Sequence, residues 1–250
     1  MKKVAKLVTA LALAAALGQG CSTPPVNKSA ALLYTEGEQA FQDGKYEDAI
    51  AQWKKVKETF QSPDLTTKAE LNIANAYFLN KDYIEAAAGY EDFRKQHPKH
   101  AQAEFALYRQ GISYFNQIHG TDTDQTPVKN ARSTFDSYLK LYPSGAQQAE
   151  VREKISTCRD MQLQYELYVG RFYLKTDAYK AAIARFEESL KMFADLARRD
   201  EVLFYLGKAY LEDGQKGKSR EIFTQLCRDF PNSPFAADAK DIIESSFQEK

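Results

Sequence analysis

Gly37 to Trp53, G-E-Q-A-F-Q-D-G-K-Y-E-D-A-I-A-Q-W, sets one small residue, Gly37, twelve positions before another, Ala49, and an aromatic, Trp53, four positions after that. The second half of this pattern recurs at Ala86/Tyr90, Ala131/Phe135, Ala182/Phe186 and Ser219/Phe223. Twelve residues before the small position stand Ala74, Gly170 and Gly207, each followed three residues on by a tyrosine: Tyr77, Tyr173 and Tyr210. Antiparallel helices approach closely only where side chains are small. The spacing therefore predicts Gly or Ala on a first helix facing Ala on a second, with the aromatic filling the adjoining gap. Pro98, Pro143 and Pro231, each eight residues after the aromatic, mark the ends of second helices.

The order of small, aromatic and proline positions resembles the tetratricopeptide repeat, a helix pair with a period of about 34 residues. It runs here from about Ala30 to Asn232. The expected fold is all-α: a right-handed tetratricopeptide-like solenoid of five helix pairs plus a C-terminal capping helix at 234–250. No long alternating run rich in Val, Ile and Thr argues for strands. The 44% hydrophobic content suits burial between neighbouring repeats.

The copies are unevenly spaced. From Gly111 to Ala131 is twenty positions where the other pairs have twelve, so eight residues are inserted around 118–128, a stretch with Gly120, two Asp, three Thr and Pro127. An exposed loop is expected there. Pro143 to Gly170 is also too long by fourteen residues, and Gln147 to Leu174 contains no proline. One helix of about 40 Å is expected, with Val151, Ile155, Cys158, Tyr165, Val169 and Phe172 as its packing stripe. The chain thus divides into a leader (1–20), a tether (21–29), repeats one to three (30–145), the long helix with repeats four and five (146–233), and the cap, whose stripe is Phe235, Ala239, Ile242, Ile243 and Phe247.

At the N-terminus Lys2, Lys3 and Lys6 precede an apolar run from Leu7 to Leu17 that is too short to span a bilayer, and Gly18 and Gly20 precede Cys21. This resembles a bacterial lipoprotein signal peptide, although Gly18 stands where that family usually has Leu. The resemblance implies that Cys21 becomes the acylated first residue. Acyl chains contribute about 0.8 kcal/mol per buried methylene, enough to hold a protein on a membrane without a spanning helix. Ser22, in place of Asp, implies delivery to the periplasmic face of the outer membrane. An ordinary cleaved secretory leader is the alternative.

The 34 basic and 34 acidic residues balance, and removal of the leader takes away three lysines and no acids. With no basic stripe, nucleic acid is not an expected partner. Clusters such as Lys54, Lys55, Lys57 and Glu58 read as solvated helix faces. Cys158 and Cys227 read as separate small apolar residues, with a disulfide as the alternative in an oxidising compartment. His97 and His100 flank Pro98 in a turn and His119 adjoins Gly120, which favours turn roles over metal ligation. Asp122 and Asp124 lack the rest of a calcium loop. No metal, cofactor or catalytic constellation is expected, so the chain reads as a non-enzyme.

Taken together, five repeats, the Asp/Thr-rich insertion and the long helix resemble the BamD family of outer-membrane assembly lipoproteins. The segment His97 to Phe135, with H-P-K-H, Y-R-Q-G-I-S-Y and T-D-T-D-Q-T-P, is part of that likeness. The resemblance implies a scaffold of the β-barrel assembly machinery. Its N-terminal repeats would engage unfolded outer-membrane proteins, and its C-terminal repeats would dock the barrel insertase (BamA-like) beside other assembly lipoproteins. Relative to Ala74 and Gly111, Lys68, Asn75 and Arg109 occupy positions that peptide-binding tetratricopeptide repeats use as a polar clamp, suited to a peptide carboxylate or backbone. The alternative is that they are solvated polar residues. Tyr34, Phe41, Leu71, Phe78, Tyr108 and Phe115 are candidate apolar pockets for the aromatic ends of barrel strands, or packing residues. In the resembling family an Arg at the start of the fifth repeat contributes to the insertase contact, and Arg199 is its nearest match. Arg198 is a one-residue alternative. Another lipoprotein adaptor, such as a pilotin-like factor for secretin assembly, and a periplasmic enzyme on a helical scaffold are the competing function classes.

Overall fold

The computed structural model describes residues 28–59, 61–195 and 197–247. The leader and Cys21 lie outside the described residues. The helices in chain order are α1 (Ala30–Gln42), α2 (Tyr46–Thr59), α3 (Pro63–Leu79), α4 (Tyr83–Gln96), α5 (Ala103–Phe115), α6 (Thr126–Leu141), α7 (Gln148–Lys175), α8 (Tyr179–Met192), α9 (Arg199–Glu212), α10 (Lys216–Asp229) and α11 (Pro234–Ser246). Each packs on the next, giving five antiparallel pairs and a final helix, with no strand among the described residues.

Local signals start and stop these helices. Ser29 and Ser62 accept hydrogen bonds from the amides of Leu32 and Leu65 at the starts of α1 and α3, and Ser233 accepts one from Phe235 at the start of α11. Pro63 and Pro234 then occupy first-turn positions where no amide hydrogen is needed. Four turns within pairs place a residue in the left-handed region: Gly44 (φ 74°), Lys81 (φ 67°), Asp177 (φ 58°) and Gly214 (φ 76°). At all four the next amide reaches back five residues, Lys45 to Ala40, Asp82 to Tyr77, Ala178 to Tyr173 and Gln215 to Tyr210, closing a Schellman-type cap.

The small/aromatic pattern works by a more direct contact than the spacing implied. In four pairs the aromatic ring lies on the glycine itself. A Cβ added at Gly37 or Gly111 would stand 2.5 Å from the Trp53 or Phe135 ring, and one at Gly207 would stand 2.6 Å from Phe223. Phe186 covers Gly170 in the same way. In the second pair, where the first helix has Ala74, the glycine has moved across the seam. Gly89, just before Tyr90, leaves room for the Ala74 methyl, 3.0 Å from where its own Cβ would sit. Ser219, in place of the usual Ala, is buried and donates to the Gly207 carbonyl at 2.8 Å.

Burial follows neighbours along the chain, as a repeat array requires. One apolar cluster joins α1 to α3, a second α3 to α5, a third α5 to α7, a fourth α7 to α9 and a fifth α9 to α11. In the last, Phe235, Ala239, Ile242 and Ile243 of α11, with Phe247 just after it, cover α9 and α10. Cys158 is buried, Cys227 half-buried, and both are free thiols.

Two expectations need correction. The connection in the third pair is 116–125, since Thr126, Pro127 and Val128 are already helical and Val128 is buried. The long helix exists as α7, but its packing stripe does not run straight. Val151 and Cys158 are buried with Ile155 against the third pair, whereas the second half buries Leu163, Leu167 and Gly170 with the fourth and fifth pairs. At 100° per residue the two faces lie about 120° apart. Once α6 no longer runs alongside, the first face loses its cover, so Tyr165 and Val169 are only half-buried and Phe172 is exposed.

Candidate functional site

The first helices of successive pairs are linked by polar contacts between their side chains. Asn72 of α3 donates to the Tyr34 hydroxyl of α1 at 3.0 Å. The Arg109 guanidinium of α5 stacks 3.6 Å over the Phe78 ring of α3. Tyr108 of α5 donates to Glu150 of α7 at 2.8 Å, and Arg171 of α7 reaches Glu201 of α9 at 3.9 Å. Asn72, Glu150 and Glu201 had no small/aromatic mark to single them out.

Asn75 and Arg109 converge on one residue of a second helix, Tyr90. The buried Tyr90 hydroxyl donates to Asn75 Oδ1 at 2.7 Å. Burial pushes the phenol up to about 12, against the opposing pull of Arg109, so it remains a neutral donor. Arg109 lies between Phe78 and Phe105, 5.7 Å from the latter, and its Nε is enclosed without a hydrogen-bond partner. Arg109 is half-buried, so its enclosed Nε is out of reach of solvent while the stack holds the guanidinium in one orientation.

Lys68 does not join this pair. It is exposed at the start of α3 and lines a separate cleft with Asp64, Thr67, Gln96 and the turn His97 to His100. Seven residues from Lys68 to Asn75 are two helical turns, about 10 Å along the axis. The same turn holds a structural contact, His97 Nε2 against Glu70 at 2.7 Å, with Lys57 3.4 Å from the other Glu70 oxygen.

The six apolar candidates divide by position. Phe41 packs at 5.5 Å on Tyr46 and 5.6 Å on Trp53 inside the first pair, and Phe78 packs at 5.5 Å on Tyr83 inside the second. Phe115 carries Lys154 at 4.4 Å over its ring. Leu71 is half-buried with the Ala74 and Tyr90 cluster. Tyr34 and Tyr108, between successive first helices, have hydroxyls raised above the usual phenol range, chiefly by burial; Tyr108 reaches about 12 with further help from Glu150.

At the other end, the adjacent arginines 198 and 199 face different ways. Arg198 is exposed and pairs with Glu201 at 3.3 Å and Asp160 at 3.8 Å. Arg199 is half-buried with its Nε enclosed and unpartnered, on the side where it helps hold Asp229 low, behind the larger effect of Arg228. Asp200 is a structural tie, accepting from Ser233 at 2.6 Å and so fixing the start of α9 to the start of α11. Among the described residues no three His, Cys, Asp or Glu side chains form a metal-binding group, and no helix is long and apolar enough to cross a membrane.

The sequence profile of the YfiO family, described as an outer membrane lipoprotein, matches residues 26–222. The chain belongs to this family. It spans every helix from α1 to α9 and the first half of α10, so the match takes in the insertion, the long helix and both arginine-bearing sites. Relatives of this YfiO chain include the outer membrane protein assembly factor BamD of Rickettsia prowazekii, 26% identical over 247 residues, 97% of this chain and 98% of the relative. BamD of Caulobacter vibrioides is also 26% identical, over 86% of this chain and 70% of the relative. Among solved structures, the TPR2AB domain of yeast Sti1 in complex with pHSP90 aligns with a TM-score of 0.43 at 14% identity, over 86% of this chain and 84% of that one. The helix pairing described above, not that alignment, establishes the tetratricopeptide-like fold.

Proposed function

We propose that this chain is a lipid-anchored scaffold for outer-membrane protein assembly, held on the periplasmic face of the outer membrane through Cys21. The observation that carries this reading is near full-length similarity to relatives named outer membrane protein assembly factor BamD, in a chain that the family of outer membrane lipoproteins matches over residues 26–222. The chemistry is recognition: the stacked, half-buried Arg109, the Asn75 amide and the tyrosine rings present polar and apolar surface to a polypeptide.

In this reading the face of α1, α3 and α5 takes unfolded barrel substrates. Arg109 and Asn75 offer donors to a peptide carboxylate or carbonyl, and Tyr34, Leu71 and Tyr108 offer apolar surface beside them. Phe41, Phe78 and Phe115 shape this face from beneath, and Lys68 offers a separate cation from its own cleft, two turns along α3 from Asn75. The insertase engages the α9/α11 corner through Arg199, a half-buried cation suited to a contact with an acidic group.

The test is affinity purification from detergent-solubilised membranes. An outer-membrane insertase and companion lipoproteins are the expected partners, and Arg199→Glu is expected to reduce insertase recovery at unchanged protein level. Recovery of a secretin in place of the insertase supports the adaptor alternative. Cys21→Ala is expected to release the protein from the membrane fraction, and continued membrane residence of that variant counts against the anchor.

A further inference from the structure

The two irregularities in the repeat spacing meet at one cleft. Thr121 of the 116–125 loop stands on one side, and Gln164, Leu167, Tyr168, Arg171, Phe172 and Lys175 of the extended α7 form its floor, with Arg198 and Glu201 of α9 opposite. Its volume is about 420 Å³. Without the eight inserted residues Thr121 would not be there, and without the extension α7 would not carry an uncovered face past α6.

That face is organised. Tyr168 and Phe172 stand one turn apart, as do Arg171 and Lys175, so α7 presents an aromatic row beside a cationic row. The aromatics are unusually open, 54% and 56% exposed. Three cations line the cleft against one carboxylate, Glu201, with Asp160 just beyond it on Arg198. The arginines are already oriented: Glu201 lies 3.3 Å from Arg198 and 3.9 Å from Arg171, whose guanidinium sits 5.0 Å from the Tyr205 ring. Tyr and Arg are the residue types that dominate binding energy at interfaces, and orientation before binding lowers the entropic cost.

We propose that this cleft binds a segment of a partner polypeptide in which acidic side chains alternate with aromatic or aliphatic ones. Carboxylates pair with the Arg171, Lys175 and Arg198 row, while apolar side chains lie on Tyr168 and Phe172. This site is separate from the substrate face of α1, α3 and α5 and from the Arg199 corner, and does not depend on the assembly reading.

Full-length protein in detergent micelles, titrated into a labelled synthetic peptide alternating Asp with Phe and Leu, tests this by fluorescence anisotropy, with micelles alone as the blank. The acidic peptide is expected to bind and its counterpart with Lys for every Asp to fail. Arg171→Glu with Lys175→Glu is expected to weaken binding about tenfold or more, and added salt to weaken it further. Should the double reversal lose helicity, Arg171→Gln with Lys175→Gln takes its place. Lys55→Glu, on the exposed face of α2 away from the cleft, is expected to retain peptide binding, which separates this site from the overall charge of the protein. Absence of binding, equal binding of both peptides, or full binding by the double variant overturns the proposal.

Discussion

In the fifth pair α9 and α10 are joined by 213–215, with Gly214 in the left-handed region; in the third pair α5 and α6 are joined by the ten residues 116–125. The long connection has its own internal support, because the buried Gln125 side chain donates to the Thr121 and Thr123 carbonyls at 3.2 and 3.1 Å. Despite this difference the seams match: Phe223 covers Gly207 as Phe135 covers Gly111. Close packing therefore constrains the middle of each pair, while its ends are open to insertion. The new surfaces of this chain, the Thr121 wall and the open face of α7, arise where the seam makes no demand.

The largest effect that sharpens this comparison comes from removing the ring. Phe135→Ala and Phe223→Ala each leave a cavity against a bare glycine backbone and are expected to cost about 3–5 kcal/mol. Their reach should differ. Phe135 belongs to the central cluster joining α5 to α7, whereas Phe223 belongs to the terminal cluster of α9 to α11. Hydrogen exchange is expected to show loss of protection confined to α9, α10 and α11 for Phe223→Ala, and spreading to both sides of the centre for Phe135→Ala. Equal, global deprotection by both variants would break the picture of a nearest-neighbour array.

A smaller effect tests the seam itself. Gly207→Ala drives a methyl into the Phe223 ring and is expected to destabilise by about 1–3 kcal/mol. In the second pair the space belongs to Gly89, so Gly89→Ala is expected to destabilise on its own and to be relieved by Ala74→Gly, which removes the opposing methyl. A double-mutant cycle in urea reads the coupling, and additive effects would show that the two positions do not share the space.

The seam was legible because glycine, alanine and aromatics are chemically distinct and recur at fixed intervals. The turn of α7 between its two faces was not. Leu163 and Leu167, which are buried, and Val169 and Phe172, which are half-buried and exposed, are all apolar, and only the position of α6 and α8 decides between them. The clamp was half legible for a similar reason. Seven-residue spacing places Lys68 and Asn75 on one face of α3 two turns apart, but says nothing of the separate cleft that the turn His97 to His100 makes around Lys68, or of Tyr90 rising from the second helix to occupy Asn75. Adjacent arginines posed the same limit: Arg198 and Arg199 are equivalent as letters, and the tie of Asp200 to Ser233 fixes the helix start from which the two point in different directions.

The smallest expected effect concerns the short connections. Gly44 and Gly214 adopt positive φ at no steric cost, but Lys81 and Asp177 hold the corresponding turn positions with a Cβ. An L-residue in this region costs about 1–2 kcal/mol, and glycine returns part of any gain because its unfolded chain is more flexible. Lys81→Gly is therefore expected to raise stability by about 0.5–1 kcal/mol, measured as a higher urea midpoint with an unchanged slope. Asp177 is the sharper case because its carboxylate accepts a 2.7 Å hydrogen bond from the Tyr179 hydroxyl, which Gly would remove. Asp177→Gly should gain less than Lys81→Gly for that reason. Asp177→Asn retains an acceptor and a side chain that tolerates positive φ, so it should leave stability nearly unchanged. If Lys81→Gly were instead destabilising, the left-handed lysine would be supported by contacts beyond its backbone, and the short turns would share some of the constraint assigned here to the seam.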